Sequence, residues 1–252
     1  STAKLSWVHW GFNGWARLPG VTSDGNSASL ISRLSAAPLL QAERQDGQGE
    51  FVIEGGAFDS DGEGTLLVTQ DCLLSRDCQR NPGFSKEDYE ETLKRYLGVE
   101  KIIWLRSSCY GDKTSGHVDQ TARFVAPGKI LLSHTTDKSH PSYGASCENI
   151  ERLASACDAK ERAFEVHLLP IPQPIIFDGH QAPASYANFY IANGVVLVPT
   201  FNDPSDGQAL EIISRAFPDR KTVGIYSREL SIAGGGSIHC VTQQWPACCH
   251  KR

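Results

Sequence analysis

The sequence predicts a mixed α/β fold built from repeated modules, and two observations support this. First, helical patterns begin at Ser85, near Ala145 and at Asp206, so they recur about every 60 residues. Second, two apolar stretches joined by a turn containing glycine precede each helical pattern, and a β-like run follows it. The repeating unit is therefore strand, strand, helix, strand. Such alternation is typical of α/β folds, and the absence of a glycine-rich dinucleotide loop argues against a doubly wound sheet.

The first module is predicted from the apolar stretches 50–53 and 65–69. Its helix runs from Ser85 to a stop at Gly98, because apolar side chains share one helical face up to that glycine. The run 99–105 is the third strand.

The second module pairs residues 121–125 with 129–133 across Pro127-Gly128, then adds a helix over 145–156 and a strand over 163–169. The third pairs 187–191 with 195–199 across Asn193-Gly194, a strong hairpin signal. It continues with the helix from Asp206 and a strand over 222–226.

The two ends resemble parts of further modules. Residues 227–252 look like the opening of one, and residues 1–21 look like the tail of another. We therefore expect a single domain over residues 1–252 in which a ring of modules would be open at both ends; the alternative is that the termini pack as irregular structure.

Composition narrows the class of protein. The chain has 252 residues, 40% hydrophobic and 21% charged, which is enough for a sizeable core. Its net charge of −5, with acids and bases interspersed, indicates no nucleic-acid partner. No run of about 18 apolar residues exists, so no membrane span is expected. A cytoplasmic location is favoured; a processed or secreted form is the alternative, because the chain lacks Met and ends in Lys251-Arg252.

The eight cysteines form no compact disulfide framework. Bridges between Cys72 and Cys78 and between Cys147 and Cys157 are the alternative for an oxidising compartment, whereas free thiols are the more ordinary case. The adjacent Cys248, Cys249 and His250 cannot wrap one ion well. We expect neither a metal nor a cofactor.

Three polar clusters flanked by glycine are candidates for chemistry. They centre on Glu54 with Asp61, on His117 with Asp119, and on Cys240. Glycine permits tight turns and close approach of the backbone to a ligand. The ordinary alternatives are turns, a surface hydrogen bond and a core thiol, and spacing alone does not decide between them.

Spacing suggests how these side chains are oriented. In an extended segment His117 and Asp119 would point to the same side. Residues 238–240 are predicted to lie on a strand, so Cys240 shares a face with Ile238 while His239 points away and is a poor partner for Cys240. The expected partner of Cys240 is therefore the distant His117.

Long motifs that carry these clusters resemble the agmatine deiminase family, which includes the bacterial-type peptidylarginine deiminases. The motifs are Glu54-Gly55-Gly56, Asp61-Gly62-Glu63-Gly64-Thr65, Arg80-Asn81-Pro82, Gly116-His117-Val118-Asp119, Tyr186-Ala187-Asn188-Phe189-Tyr190 and Gly234-Gly235-Gly236-Ser237-Ile238-His239-Cys240. They follow the family's order over nearly the whole chain. The resemblance implies the pentein fold, a five-bladed α/β propeller of strand-strand-helix-strand modules.

The resemblance also implies an activity and roles for residues. It implies hydrolysis of the guanidinium of agmatine to a ureido group, giving N-carbamoylputrescine and ammonia, without a metal. Cys240 would be the nucleophile, activated by His117 or by the bound cation, and His117 would serve as acid and base. Asp119 and Glu54 would be the carboxylates at the guanidinium. Further candidates for substrate binding are Asp61, Trp15, Arg17 and Gly236.

Two departures from the family pattern leave alternatives open. The N-terminal module with its Asp-x-Trp-x-Arg-Asp-x-Gly-Pro segment is absent, and Ser237 stands where the family usually has Asn. An active deiminase would need that module from its own cleaved N-terminal fragment or from a homo-oligomer partner. The other readings are an arginine or peptidylarginine deiminase, and a catalytically inactive truncated pentein that acts as a binding or structural protein.

Overall fold

A computed structural model describes residues 5–16, 26–35 and 37–246. The described chain opens with a parallel strand pair that encloses a helix. The strands are β1 (Trp7–His9) and β2 (Leu39–Gln41), and α1 (Asn26–Ser35) lies between them in sequence. The sequence predicts only a module tail over residues 1–21 in this region, and α1 and β2 were not predicted.

The first full module contains a three-stranded sheet in the order β3-β4-β5. Its strands are β3 (Phe58–Ser60), β4 (Thr65–Thr69) and β5 (Lys101–Leu105). The first pair is antiparallel and the second is parallel. Between β4 and β5 lie the short α2 (Gln70–Leu73) and the longer α3 (Lys86–Leu97).

The second and third modules repeat this order. Their sheets, β6-β7-β8 and β11-β12-β13, have the same antiparallel and then parallel pairing. The elements of the second are β6 (Ala122–Ala126), β7 (Lys129–His134), α4 (Tyr143–Ala154) and β8 (Glu165–Pro170), and those of the third are β11 (Tyr190–Ala192), β12 (Val195–Thr200), α5 (Asp206–Ala216) and β13 (Lys221–Tyr226).

Two further pieces flank the third module. The hairpin β9 (Ile175–Phe177) and β10 (His180–Ala182) precedes it, and its Asp178-Gly179 turn is a signal that the sequence analysis overlooked. After it come α6 (Arg228–Gly234) and a one-turn 3-10 helix, His239–Val241.

The repeat of strand, strand, helix and strand is confirmed, but one pairing was predicted wrongly. The partner of β4 is β3, not the apolar stretch 50–53. That stretch is apolar because Phe51 and Ile53 are buried in the core. The backbone N–H and C=O of Val52 bond instead to the side chain of Asn81, at 2.9 and 2.8 Å.

The central strand β4 is buried on both faces, which explains its uninterrupted apolar sequence. Leu66 and Val68 join one core cluster, which includes residues of α3, whereas Leu67 joins the next cluster, which includes residues of β6 and β7. Successive side chains of a strand point to opposite faces. The β3-β4-β5 sheet is thus covered on both sides, and it shares a core with the neighbouring module.

Local capping sets the limits of α3. The Ser85 hydroxyl accepts from the backbone N–H of Asp88, while the Asp88 carboxylate accepts from that of Ser85. Gly98 closes the helix in the left-handed conformation (φ 66°), and its N–H bonds to the carbonyl of Lys94. Among the described residues, no helix combines the length and the apolar character needed to cross a membrane.

Candidate active site

The candidate residues come from corresponding places in successive modules. Glu54 precedes β3, His117 and Asp119 precede β6, and Asn188 precedes β11. Cys240 lies in the 3-10 helix that follows α6. Since the modules repeat, these entry segments meet at one end of the sheets.

A buried ion-pair network holds Glu54. The Arg80 Nε donates to both oxygens of the Glu54 carboxylate at 3.2 Å, and His117 Nε2 lies 3.0 Å from Glu54 Oε2. Arg80 is itself anchored by the carbonyl oxygens of Cys78 and Thr114. The carboxylate is thereby held between the Arg80 guanidinium and the His117 imidazole.

The pKa values of this network move in opposite directions. Burial by itself raises the pKa of Glu54, but the hydrogen bond and charge of His117 and the charge of Arg80 outweigh it, and the net pKa lies below its ordinary value. Burial by itself lowers the pKa of His117, yet the bond to Glu54 and the charge of Asp119 leave it above its ordinary value. Each partner thus favours the charged form of the other, an ionised carboxylate beside a protonated imidazole.

Asp119 is the carboxylate that contacts the nucleophile candidate. Its Oδ2 lies 2.7 Å from His239 Nδ1 and 3.6 Å from Cys240 Sγ. The side chain is fully buried, and its Oδ1 has no hydrogen-bond partner. Burial raises the pKa of Asp119, but His239 and the charges of His117 and Arg123 more than offset this, so the pKa is lowered. One ionised oxygen is therefore free to accept a donor.

Cys240 is exposed to solvent, as a nucleophile must be, but polar groups surround its sulfur. The Asn188 Nδ2 lies 3.3 Å from Sγ, and Gln120 Nε2 lies 4.0 Å away. Close packing around the sulfur and the charge of Asp119 raise the pKa of the Cys240 thiol to about 12. The free site therefore holds a thiol rather than a thiolate.

Two glycines leave room for these groups. A Cβ at Gly56 would lie 2.5 Å from His117 Nδ1 and 2.8 Å from Asp119 Oδ2. A Cβ at Gly236 would lie 2.6 Å from Cys240 Sγ. All three distances are below any normal contact, so a larger residue at either position would displace these side chains. The placement of Gly236 against the sulfur agrees with its assignment to the site.

The predicted orientation of His239 was wrong. Residues 239–241 form a 3-10 helix instead of a strand, so the alternation of faces does not apply. The His239 imidazole points to the same Asp119 oxygen that Cys240 contacts. His117 and Asp119 also lie at a 3-10 turn, with His117 capping it, and not in an extended segment. Asp119, not His117, makes the contact with Cys240.

Two other candidates lie apart from this cluster. Asp61 sits in the turn between β3 and β4, where its Oδ1 accepts from the N–H groups of Glu63 and Thr65 at 2.8 and 2.9 Å. Trp15 adopts a left-handed backbone (φ 58°) and packs edge-on against Phe12. Neither contacts Cys240. Arg17 lies outside the described residues.

A metal interpretation does not fit the network. The ligand atoms of Glu54, Cys72 and His117 lie within 4.8 Å of one another. The Glu54 carboxylate, however, is already engaged by Arg80 and by His117, and the positive charge of Arg80 opposes a cation. Burial raises the pKa of Cys72 well above its ordinary value, so it is a neutral thiol and a poor ligand.

The structure describes the four cysteines of the alternative disulfide bridges but not the triplet 248–250. Cys72, Cys78, Cys147 and Cys157 are free thiols in the structure. The triplet 248–250 lies outside the described residues.

Arg80 and Asn188 lie within the family motifs, but no role was predicted for either residue. Both are buried polar side chains, and a buried arginine requires a partner. Asn188 interrupts the otherwise apolar run 186–192, which is a signal for a buried polar side chain, whereas Arg80 lies in a polar stretch that carries no such signal. Ser237 makes a hydrogen bond to Ser231 at 2.8 Å, which fixes the loop before Cys240 to α6.

Stacked α/β modules that gather a cysteine, a histidine and two carboxylates at one end define a protein of the pentein fold class, as predicted. Residues 2–246 match the Porphyromonas-type peptidyl-arginine deiminase family, and the chain belongs to that family.

Relatives that match this chain share a name. Agmatine deiminase of Pseudomonas fluorescens is 40% identical over 98% of this chain and 71% of its own length. The solved structure of agmatine deiminase of Enterococcus faecalis has a TM-score of 0.89 at 37% identity, covering 96% of this chain and 70% of that one. A cysteine-to-serine variant of C. jejuni agmatine deiminase, solved with substrate bound, has a TM-score of 0.83 at 28% identity, covering 95% and 68%.

Proposed function

We propose that this chain is an agmatine deiminase, which hydrolyses the guanidinium of agmatine to a ureido group and releases ammonia. The observation that carries the proposal is the pair of Asp119 and Cys240. A buried carboxylate, one of whose oxygens has no hydrogen-bond partner among the described residues, lies 3.6 Å from the sulfur of a solvent-exposed cysteine. Such a pair can hold a planar cation against a nucleophile. The names of the relatives support agmatine as the substrate.

The bound cation is the better activator of Cys240. His117 makes its close contact with Glu54 and is protonated, so it is not placed to accept the thiol proton. An opposite unit charge about 4 Å away is worth about 4 kcal/mol at an effective dielectric constant of about 20. That energy raises the acid dissociation constant of a thiol about a thousandfold. Binding of the guanidinium would therefore raise the population of the reactive thiolate about a thousandfold, with the proton passing to solvent.

Protonated His117 is then available for the leaving group. The Cys240 thiolate forms a bond to the guanidinium carbon, His117 donates its proton to the departing nitrogen, and ammonia leaves from this tetrahedral adduct to give a thiouronium-type intermediate. Neutral His117 next takes a proton from water, the oxygen adds to the same carbon, and the C–S bond breaks. The ureido product is released with the thiolate restored. Glu54 holds the imidazole in place throughout.

The assay follows from the chemistry. Purified protein is incubated with agmatine, free arginine and a peptide with an internal arginine, and ammonia and ureido product are measured. We expect turnover of agmatine, loss of it in Cys240→Ala, and retention in Cys147→Ala, whose thiol lies on α4. Preference for a substrate other than agmatine would replace this assignment with an arginine or peptidylarginine deiminase. A folded protein that turns over none of the three would refute the enzyme and leave a binding role.

We also propose that residues 1–252 act as one domain and that a further segment completes the N-terminal unit that contains β1 and β2. In the described ranges β1 pairs only with β2, whereas the matching central strands β4, β7 and β12 are paired on both edges. The segment would come from the same polypeptide, from its cleaved fragment or from a second copy. Intact-mass measurement and light scattering distinguish the three, and an active monomer of 252 residues would refute the proposal. The cytoplasmic location stays a prediction.

A further inference from the structure

Asn188 connects three parts of the nucleophile loop. It lies in the turn before β11 and its side chain is fully buried. Its Oδ1 accepts from the backbone N–H of Ser237 and from that of His239, both at 3.1 Å. Its Nδ2 lies 3.3 Å from Cys240 Sγ.

This arrangement determines which way the amide of Asn188 faces. A backbone N–H can only donate, so the atom between Ser237 and His239 must be the amide oxygen. The other end is then the NH2 group, and it must donate to the sulfur of Cys240. A donor at this position stabilises a negative sulfur more than a neutral thiol.

The effect of the Asn188 NH2 group on the sulfur is opposite to that of Asp119. Asp119 presents an ionised oxygen to Cys240, which disfavours a thiolate. Gln120 offers a second amide N–H, but at 4.0 Å its contact is weak. Among the side chains, Asn188 thus makes the shortest contact that favours the reactive form of the sulfur, and the backbone N–H of Ser237 acts in the same direction.

We propose that Asn188 is the positioning residue of the nucleophile: its oxygen holds the loop 237–240, and its NH2 group stabilises the Cys240 thiolate. The inference concerns the same site as the proposed function and rests on that function only for its effect on turnover. The reactivity of the thiol toward an alkylating agent tests it without any assumption about the substrate.

The chain contains a matched control at Asn149. This asparagine is also fully buried and also binds one backbone segment twice: its Oδ1 accepts from the N–H of Arg106 at 2.7 Å, and its Nδ2 donates to the carbonyl of the same residue at 2.8 Å. Among the described residues, no sulfur bonds to it. Asn149→Asp therefore imitates the structural damage of Asn188→Asp without altering the surroundings of Cys240.

The experiment measures the rate at which iodoacetamide alkylates Cys240 between pH 7 and pH 10, by mass spectrometry of the peptide that contains it. Asn188→Asp keeps an oxygen for the loop but replaces the NH2 donor with a negative oxygen. We expect alkylation at each pH to slow at least fivefold, and kcat/KM for agmatine to fall at least tenfold. Asn149→Asp should leave both within twofold of wild type.

A purely structural role predicts the opposite sign, because a loosened loop exposes the sulfur and speeds its alkylation. Unchanged or faster alkylation in folded Asn188→Asp would overturn the proposal. Should that variant fail to fold, Asn188→Ser provides the test, since it removes the NH2 donor without adding charge and should slow alkylation by a smaller factor. If Asn188→Asp slowed alkylation while the wild-type protein did not turn over agmatine, the proposed function would be refuted and this inference would stand.

Discussion

Replacing Gly56 with alanine tests the geometry of the site most directly. The added Cβ would lie 2.5 Å from His117 Nδ1 and 2.8 Å from Asp119 Oδ2. Non-bonded heavy atoms at ease lie about 3.5 Å apart, so the imidazole or the carboxylate must move by about 1 Å. Neither can yield easily, because Glu54 holds the first at 3.0 Å and His239 holds the second at 2.7 Å.

The expected effect is larger on activity than on stability. Overpacking of a buried site costs about 1–3 kcal/mol of unfolding free energy. A displacement of about 1 Å in a catalytic group can reduce the rate about a hundredfold. We therefore expect Gly56→Ala to fold, to lose about 1–2 kcal/mol in urea unfolding, and to show kcat/KM for agmatine about a hundredfold below wild type.

The neighbouring Gly55 supplies the control. It belongs to the same 3-10 turn, neither glycine has a left-handed backbone, and a Cβ at Gly55 would meet nothing within 4 Å. Gly55→Ala should keep kcat/KM within about twofold and gain up to about 1 kcal/mol by restricting the unfolded chain. If Gly56→Ala were folded and matched Gly55→Ala in kcat/KM, the close contact of His117 and Asp119 at this glycine would be refuted.

Two further variants separate the electrostatic roles in the network. Glu54→Gln removes the charge that raises the pKa of His117, so this imidazole should lose its proton at lower pH. The alkaline limb of the kcat/KM profile should therefore move to lower pH. A limb that stays in place would contradict the role of His117 as the acid. Arg80→Met leaves a buried carboxylate without its cation and should cost about 3–5 kcal/mol in urea unfolding. Removing the exposed Arg215–Glu211 pair should cost less than about 1 kcal/mol, and equal losses would argue against a buried ion pair at Glu54.

The modules could be predicted because their signals are local. The helix α3 is defined by its cap at Ser85, its apolar face and its stop at Gly98, all within one stretch of chain. The hairpins at Pro127-Gly128 and Asn193-Gly194 are likewise marked by adjacent turn residues. The stretch 50–53 was assigned wrongly because burial and strand pairing both favour apolar residues, and only the fold distinguishes them.

The sequence by itself determined the repeated α/β modules and the identity of Cys240, His117, Asp119 and Glu54 as site candidates. Only the tertiary structure decided which of them touch: Glu54 and His117 are 63 positions apart, and Asp119 and Cys240 are 121 apart. It also turned His239 toward the site through a 3-10 helix. The physical reason is that contacts between modules depend on how their sheets stack on a shared core, and apolar periodicity within one module carries no information about that packing.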